Sequence, residues 1–249
     1  MERVKQRLDQ RTYRAVADRL GASAPRILDV GGGTGEISAR FVRNGGAASA
    51  FVVDPDAASV DAARSRGLDG FAGTIEEFQT DERYDLVLML NLIEHVEDPV
   101  AVLAKGASLL APAGLIWLQT PNFRALDARI FRHRNWAGYH CPRHWAIFSE
   151  PGLRRAIGRA NLEVADFRRT QGGGFWAQSL IGLRRERLMR RGKRPPPWPE
   201  APEGAELPKP LVRYRSFAPL AALFTGLDMS TRGLREVSQV AVLARRARG

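Results

Sequence analysis

Between Arg26 and Gln119 two patterns alternate: short continuous apolar runs, and longer stretches whose apolar positions recur every three to four residues. The first predicts strands covered on both faces, the second amphipathic helices with one buried side. Arg26–Val30 (RILDV) reads as the first strand. A glycine-rich turn follows, then a helix over Glu36–Val42 that Asn44-Gly45-Gly46 ends. The unit repeats as strand Ala50–Val53 and helix Ala57–Arg66, then as a weak strand Gly70–Ala72 with a helical turn at Ile75–Phe78. Tyr84–Leu90 is a strand, apolar almost throughout, and Gly114–Gln119 is a fifth. Asp98-Pro99 opens a helix expected to reach about Leu110, with Asp98 as its cap and Pro99 in the first turn, where a missing N–H costs little. Upstream, Val4, Leu8, Val16 and Leu20 keep a helical period over residues 4–20, and Gly21 would stop it. Strands alternating with helices call for a parallel sheet with helices on both faces.

Beyond Gln119 the pattern loosens. Residues 121–148 are rich in aromatics, His and Arg with few clean periods. Ser149-Glu150-Pro151 starts a helix to about Ala160, Leu162–Arg169 is a strand, and Glu236–Ala244 is the last. Residues 171–194 pass from apolar (Phe175, Trp176, Leu180, Ile181, Leu183) to basic (Arg184, Arg185, Arg187, Arg190, Arg191, Lys193, Arg194). Residues 195–210 hold seven of the 15 prolines and predict an extended, mobile linker. Phe217–Leu227 is apolar and reads as a helix. No internal repeat is visible.

Composition narrows the classes. The single cysteine, Cys141, excludes an internal disulfide and a cysteine-rich metal site. The N-terminal stretch has no apolar core of a signal peptide, and no run is long enough to span a bilayer, so the expected compartment is the cytosol. The net charge of +11, from 38 Lys and Arg against 27 Asp and Glu, favours acidic partners or simply reflects arginine-rich codon usage.

The chemistry concentrates at Asp29-Val30-Gly31-Gly32-Gly33-Thr34-Gly35, where a strand ends and a helix begins. Glycines let a ligand approach the backbone, and the helix start offers unpaired N–H groups. A glycine-rich turn alone would serve NAD, FAD or another nucleotide. The acidic residue before the glycines repels a pyrophosphate and suits a ligand carrying an ammonium group. ILDVGGGTGEIS resembles motif I of the class I S-adenosylmethionine (AdoMet)-dependent methyltransferases. Asp54, followed by Pro55, stands about twenty residues on, where that family places an acid for both ribose hydroxyls. Thr74-Ile75-Glu76 resembles the segment flanking the adenine, with Thr74 where the family often has an acid. YDLVLMLNLIEHVEDP resembles the fourth-strand motif, with Asn91, Leu92, Glu94 and His95 after the strand. LLAPAGLIWLQTPN resembles the fifth. The likeness covers residues 26–122 and extends weakly over 140–170, where HWAIFS…LRRAIGRANLEV is similar to the H-x-x-x-F-S pattern of small-molecule methyltransferases. It implies a Rossmann-like, doubly wound seven-stranded sheet, mostly parallel with the last strand antiparallel. It implies AdoMet held by Asp29, Gly31, Gly33, Gly35, Asp54, Pro55, Thr74, Ile75, Asn91 and Leu92.

Methyl transfer from a sulfonium is an in-line displacement that needs the acceptor atom held in line, and a hydroxyl acceptor gains from a base. His95 sits on the cofactor-side turn. His140 and His144 lie on the acceptor side, with His144 favoured as base or as a loop-ordering residue. Trp136, Tyr139 and Trp145 would line an acceptor pocket or fill core. No carboxylate cluster suggests a metal, and the Asn-Pro-Pro-Tyr signature of amino methylation is absent. Transfer to a hydroxyl of a small-molecule or lipid-linked acceptor is expected. Residues 175–194 would touch an anionic membrane, at the inner face, or form a lid with a solvated basic side. An RNA methyltransferase, supported by charge alone, and an inactive AdoMet-fold binding protein are the competing readings; no RNA-binding module is recognisable. The chain reads as one domain: an N-terminal helix (1–24), an AdoMet-binding core (25–122), an acceptor-side region (123–170), a basic, proline-rich insertion or lid (171–233) and the last strand (234–246).

Overall fold

In the computed structural model seven strands form one sheet in the order β3-β2-β1-β4-β5-β7-β6. The structure describes residues 16, 19–22, 24–44, 46–139, 143–170, 172–193, 217–231 and 237–247. β1 (Arg26–Val30), β2 (Ser49–Asp54), β3 (Asp69–Ala72), β4 (Tyr84–Leu90) and β5 (Leu110–Pro121) are mutually parallel. β7 (Gln239–Arg246) runs antiparallel between β5 and β6 (Leu162–Thr170), so six strands share one direction. The chain winds outward from β1 to β3, then returns to pair β4 on the other side of β1. Loops leaving β1 and β4 therefore emerge at the carboxyl edge where the winding reverses, the place at which sheets of this kind bind ligands.

Side chains alternate along each strand, and both faces are apolar. Leu28, Val87, Met89, Ile116, Leu118, Val240 and Val242 belong to one buried cluster. Ile27, Leu86, Leu88, Leu115, Trp117 and Leu243 belong to a second on the opposite face. The first is covered by α3 (Pro99–Ser108) and α5 (Glu150–Arg159), through Val102, Leu103, Leu153 and Ile157. The second is covered by α1 (Glu36–Asn44) and α2 (Ala57–Ser65), through Ala39, Phe41 and Ala63. Val16 and Leu20, from the helix expected at residues 4–20, pack on that face; most of that segment lies outside the described residues. Asp98 caps α3 as expected, accepting from the Val100 and Ala101 amides. β5 begins at Leu110, not Gly114, and α3 accordingly stops at Ser108. Tyr84 pairs with Leu110 before a register shift, and that irregularity accommodates Pro112 and Gly114 within the strand.

The late region is more ordered than its sequence suggests. α4 (Leu126–Phe131), a short 3-10 turn at Ala137–Tyr139, α6 (Gly173–Arg190) and α7 (Phe217–Thr231) enclose a third apolar cluster around Phe131, Trp136 and Trp176. Trp176 stacks flat on Phe224, with ring centroids 4.7 Å apart. A side chain at Gly173 would put its Cβ 2.3 Å from the Ala221 carbonyl oxygen, so glycine there lets α6 and α7 cross in backbone contact. The apolar residues of 175–183 thus face the protein. The proline-rich 195–210 segment lies outside the described residues.

Phe41 is 1% exposed and meets the edge of Trp117. Phe41→Ala is expected to lower the unfolding free energy by about 3–5 kcal/mol. Guanidinium titration checks it; a loss below about 1 kcal/mol would mean that α1 is not firmly seated on the sheet.

Candidate functional site

The loop between β1 and α1 is built around a buried acid. Asp29, 3% exposed, ends β1 with its carboxylate under the loop, where Oδ2 accepts a 2.6 Å hydrogen bond from the Ser38 hydroxyl of α1. Gly32 lies over that carboxylate: a Cβ there would stand 2.6 Å from the Asp29 carboxyl carbon. Gly35 has φ +69° and would drive a Cβ within 2.5 Å of Leu68, so it turns the chain into α1 while keeping the loop on the core. Burial raises the Asp29 carboxyl from an ordinary 3.8 to about 6; the Ser38 hydrogen bond opposes this and the Asp54 carboxylate adds to it.

Asp54 ends β2 beside that loop. Its Oδ2 accepts from the Gly33 amide at 2.8 Å and its Oδ1 from the Asp56 amide at 2.9 Å. Asp56, not Asp54, caps α2. The Asp54 carboxylate is thereby fixed at the carboxyl end of β2, half-buried, with Pro55 exposed after it. A carboxylate has about four acceptor positions, so two amide bonds leave capacity for hydroxyls. Gly31 donates to the Val53 carbonyl at 2.8 Å, which ties the first loop to β2.

Thr74 is exposed and closes its turn reciprocally with Glu77: its amide donates to the Glu77 carboxylate at 2.8 Å, and its hydroxyl accepts from the Glu77 amide. Ile75, expected beside an adenine, is 3% exposed and packs into the first apolar cluster with Phe78. Its side chain is core, because a short strand followed at once by a turn leaves the Ile75 position pointing inward.

After β4 the backbone bends sharply. Asn91 has φ +54°, a conformation rare outside glycine and frequent at functional turns. Its amide donates to the Gln119 carbonyl, and its side-chain oxygen accepts from Gln239, which in turn accepts from Gln119. Leu92 leans across to Gly31, where a Cβ would meet it at 2.8 Å. Asp29, Gly31, Gly33, Gly35, Asp54, Asn91 and Leu92 therefore lie along one carboxyl edge, at the ends of β1 and β2 and in the loops after β1 and β4.

The acceptor side is joined to this edge by Glu94. Its carbonyl accepts from the Trp145 and Ala146 amides, and His95 Nδ1 lies 3.1 Å from the Arg143 carbonyl. Phe148 bridges to Asn122 at the end of β5, and Ser149 caps α5. The segment around His144 is thus stitched onto the turn after β4. His144 is half-buried, with Nδ1 2.6 Å from the Gly138 carbonyl and its ring 4.5 Å from that of His95. His140 lies outside the described residues. The expected aromatic lining divides: Trp136 is buried and donates to Asp127, Tyr139 donates to the Arg132 carbonyl, and Trp145 is 67% exposed.

Sequence reasoning passed over Glu94 as a turn residue. It is 1% exposed, accepts from Thr120 at Oε2, and has no hydrogen-bond partner for Oε1. Burial pushes its carboxyl up to about 7, and burial also depresses the neighbouring His95. The available signal was a Glu-His pair directly after an apolar strand.

Seven strands in this order, with a glycine loop after the first and acids at the ends of the first and second, define the class I methyltransferase fold. Residues 2–166 match the family described as a methyltransferase domain, and the chain belongs to that family. A ubiquinone biosynthesis O-methyltransferase of Bradyrhizobium sp. (strain ORS 278) is 35% identical over 123 residues, 47% of this chain and 44% of that protein. The chain therefore spans less than half the length of that relative. A SAM-dependent methyltransferase from Archaeoglobus fulgidus has the same fold with a TM-score of 0.58 at 15% identity, over 96% of this chain and 93% of that one. So does the 4+2 cyclase SpnF, with a TM-score of 0.57 at 18% identity, over 96% and 82%.

Because its folded pKa is raised, Asp29 contributes most favourably to stability below about pH 4, and that contribution is lost as the pH rises through about 6. Asp29→Asn keeps an acceptor for Ser38. It is expected to gain stability relative to the parent by on the order of 2–3 kcal/mol between those limits. Urea unfolding of both proteins at the two ends of the range measures the gain, and a pH-independent difference would mean that Asp29 ionises freely.

Proposed function

We propose that the chain binds AdoMet at the carboxyl edge of the sheet and transfers its methyl group to a hydroxyl oxygen of a small-molecule or lipid-linked acceptor. One observation carries the cofactor: two carboxylates, Asp29 and Asp54, flank a glycine loop whose Gly33 amide Asp54 already holds. That pair rejects a pyrophosphate and suits a cationic amino-acid nucleoside. Asp29 lies beneath the loop that would hold the ammonium end, whose charge favours the ionised carboxylate that burial disfavours. Asp54 takes the ribose hydroxyls, and the backbone at Thr74 and Ile75 borders the base. Gly31, Gly35, Pro55, Asn91 and Leu92 complete the walls.

The sulfonium is an activated leaving group, so the protein chiefly aligns the acceptor. His144 is the proposed base. A carbonyl only accepts, so the Gly138 bond puts the ring proton on Nδ1 and makes Nε2 the basic atom. A hydroxyl acceptor is supported by the O-methyltransferase relatives, each matched over part of its length. S-adenosylhomocysteine calorimetry tests the cofactor. The parent should bind it and give no heat with NAD, and Asp54→Ala should weaken binding roughly tenfold or more, about 1.4 kcal/mol. Radiolabelled AdoMet offered with phenolic acceptors then reads transfer. Binding of NAD instead would sink the reading.

A lipid-linked acceptor is favoured by α7, whose outer side presents Ala222, Leu223 and Leu227, with Leu223 65% exposed. The apolar contact moves from residues 175–183, which face the protein, to α7. The parent should sediment with anionic phospholipid vesicles and Leu223→Asp should release it; equal sedimentation of both would remove the membrane contact.

A further inference from the structure

We propose that Glu94, His95 and His144 form a binding site for one divalent transition-metal ion. Each offers one donor atom, and these atoms lie within 4.8 Å of one another. Donors of a tetrahedral zinc site stand about 3.3 Å apart, a difference that side-chain rotation of two half-buried imidazoles can close.

Three further features fit a ligand set rather than a chance cluster. Glu94 is 1% exposed, and its Oε1 has no hydrogen-bond partner while Oε2 is anchored by Thr120. An unsatisfied buried carboxylate oxygen is costly, and a cation relieves that cost directly. Both histidines have Nδ1 against a backbone carbonyl, of Arg143 and of Gly138. That arrangement fixes each ring's proton on Nδ1 and turns Nε2 into the donor, as outer-shell carbonyls do for metal-bound imidazoles. The two rings meet edge to face at 4.5 Å, close enough to serve one ion. Two imidazoles and one carboxylate suit zinc, iron or cobalt better than magnesium or calcium, which prefer oxygen. Three protein donors leave at least one position open.

The site's link to catalysis rests on the methyl-transfer reading; the site itself does not. With an ion bound, Nε2 of His144 is committed to it and ceases to act as base. The acceptor hydroxyl is then acidified by the ion, its proton passes to water, and its oxygen forms the new C–O bond as the sulfonium S–C bond breaks.

The test uses the full chain, free of any histidine tag, stripped with chelator. Cobalt(II) is titrated against its d–d absorption and zinc(II) by calorimetry. The parent should take up about one equivalent of either, and Glu94→Gln and His144→Ala should each weaken uptake roughly tenfold or more. S-adenosylhomocysteine binding and thermal melting of the same samples establish that the variants fold, with His95→Gln as the substitute if His144→Ala does not. No stoichiometric uptake by the parent, or parental uptake by both variants, overturns the site. Metal uptake without S-adenosylhomocysteine binding would sink the methyl-transfer reading and leave the metal site standing; the reverse pattern sinks the metal site alone.

Discussion

A buried carboxylate at the end of β1 constrains everything around it. Asp29 sits beneath the glycine loop in a setting that burial makes hostile to charge, held by Ser38 of α1. To keep it there, Gly32 must lack a side chain and α1 must start where Ser38 can reach down. α1 in turn is clamped to the sheet by Phe41 against Trp117. The strained acid, its hydroxyl partner and the helix seat form one unit. Burial raises the carboxyl pKa to about 6, so a positive charge placed beside it would favour the ionised form.

The donor side was legible because its determinants are local. The glycine loop, the acid before it and the acid ending β2 are each fixed by a strand end and the turn after it, and strand ends follow from apolar runs. Even there, the direction of the Ile75 side chain was not legible. Position along a motif says which residue follows the strand, but not which way its side chain turns, and the first apolar cluster claims it. The acceptor side was not legible as a unit. Glu94 and His95 lie next to each other, yet His144 reaches them only because the Trp145 and Ala146 amides bind the Glu94 carbonyl and Phe148 bridges to Asn122. No local period encodes such long-range backbone bonds.

The same limit explains α6. Phe175 to Leu183 read as an apolar surface because a helix with apolar residues on most sides has no obvious partner in sequence. The partner is α7, more than thirty residues away, and the contact depends on Gly173 meeting the Ala221 carbonyl and on Trp176 stacking over Phe224. Once α7 covers that face, Arg184, Arg187 and Arg190 at the end of α6 remain exposed, as do Met189 of α6 and Leu223 and Leu227 of α7.

The contrast between local donor side and long-range acceptor side has a consequence for function. The chain shares its fold with methyltransferases and with the cyclase SpnF, so the sheet by itself does not choose the reaction. What can choose is the segment carrying His144, which is attached to the turn after β4 through Glu94 and His95 and to the end of β5 through Phe148. The Glu94 carbonyl holds the segment, its carboxylate faces Thr120 on β5, and its neighbour His95 meets His144. The hydrogen bonds of Asp29 and Asp54 run to Ser38, Gly33 and Asp56 and not to Glu94. The hydrogen bonds that fix Asp29 and Asp54 and those that fix the His144 segment are therefore separate sets, and the turn from Asn91 to His95 is where the two meet.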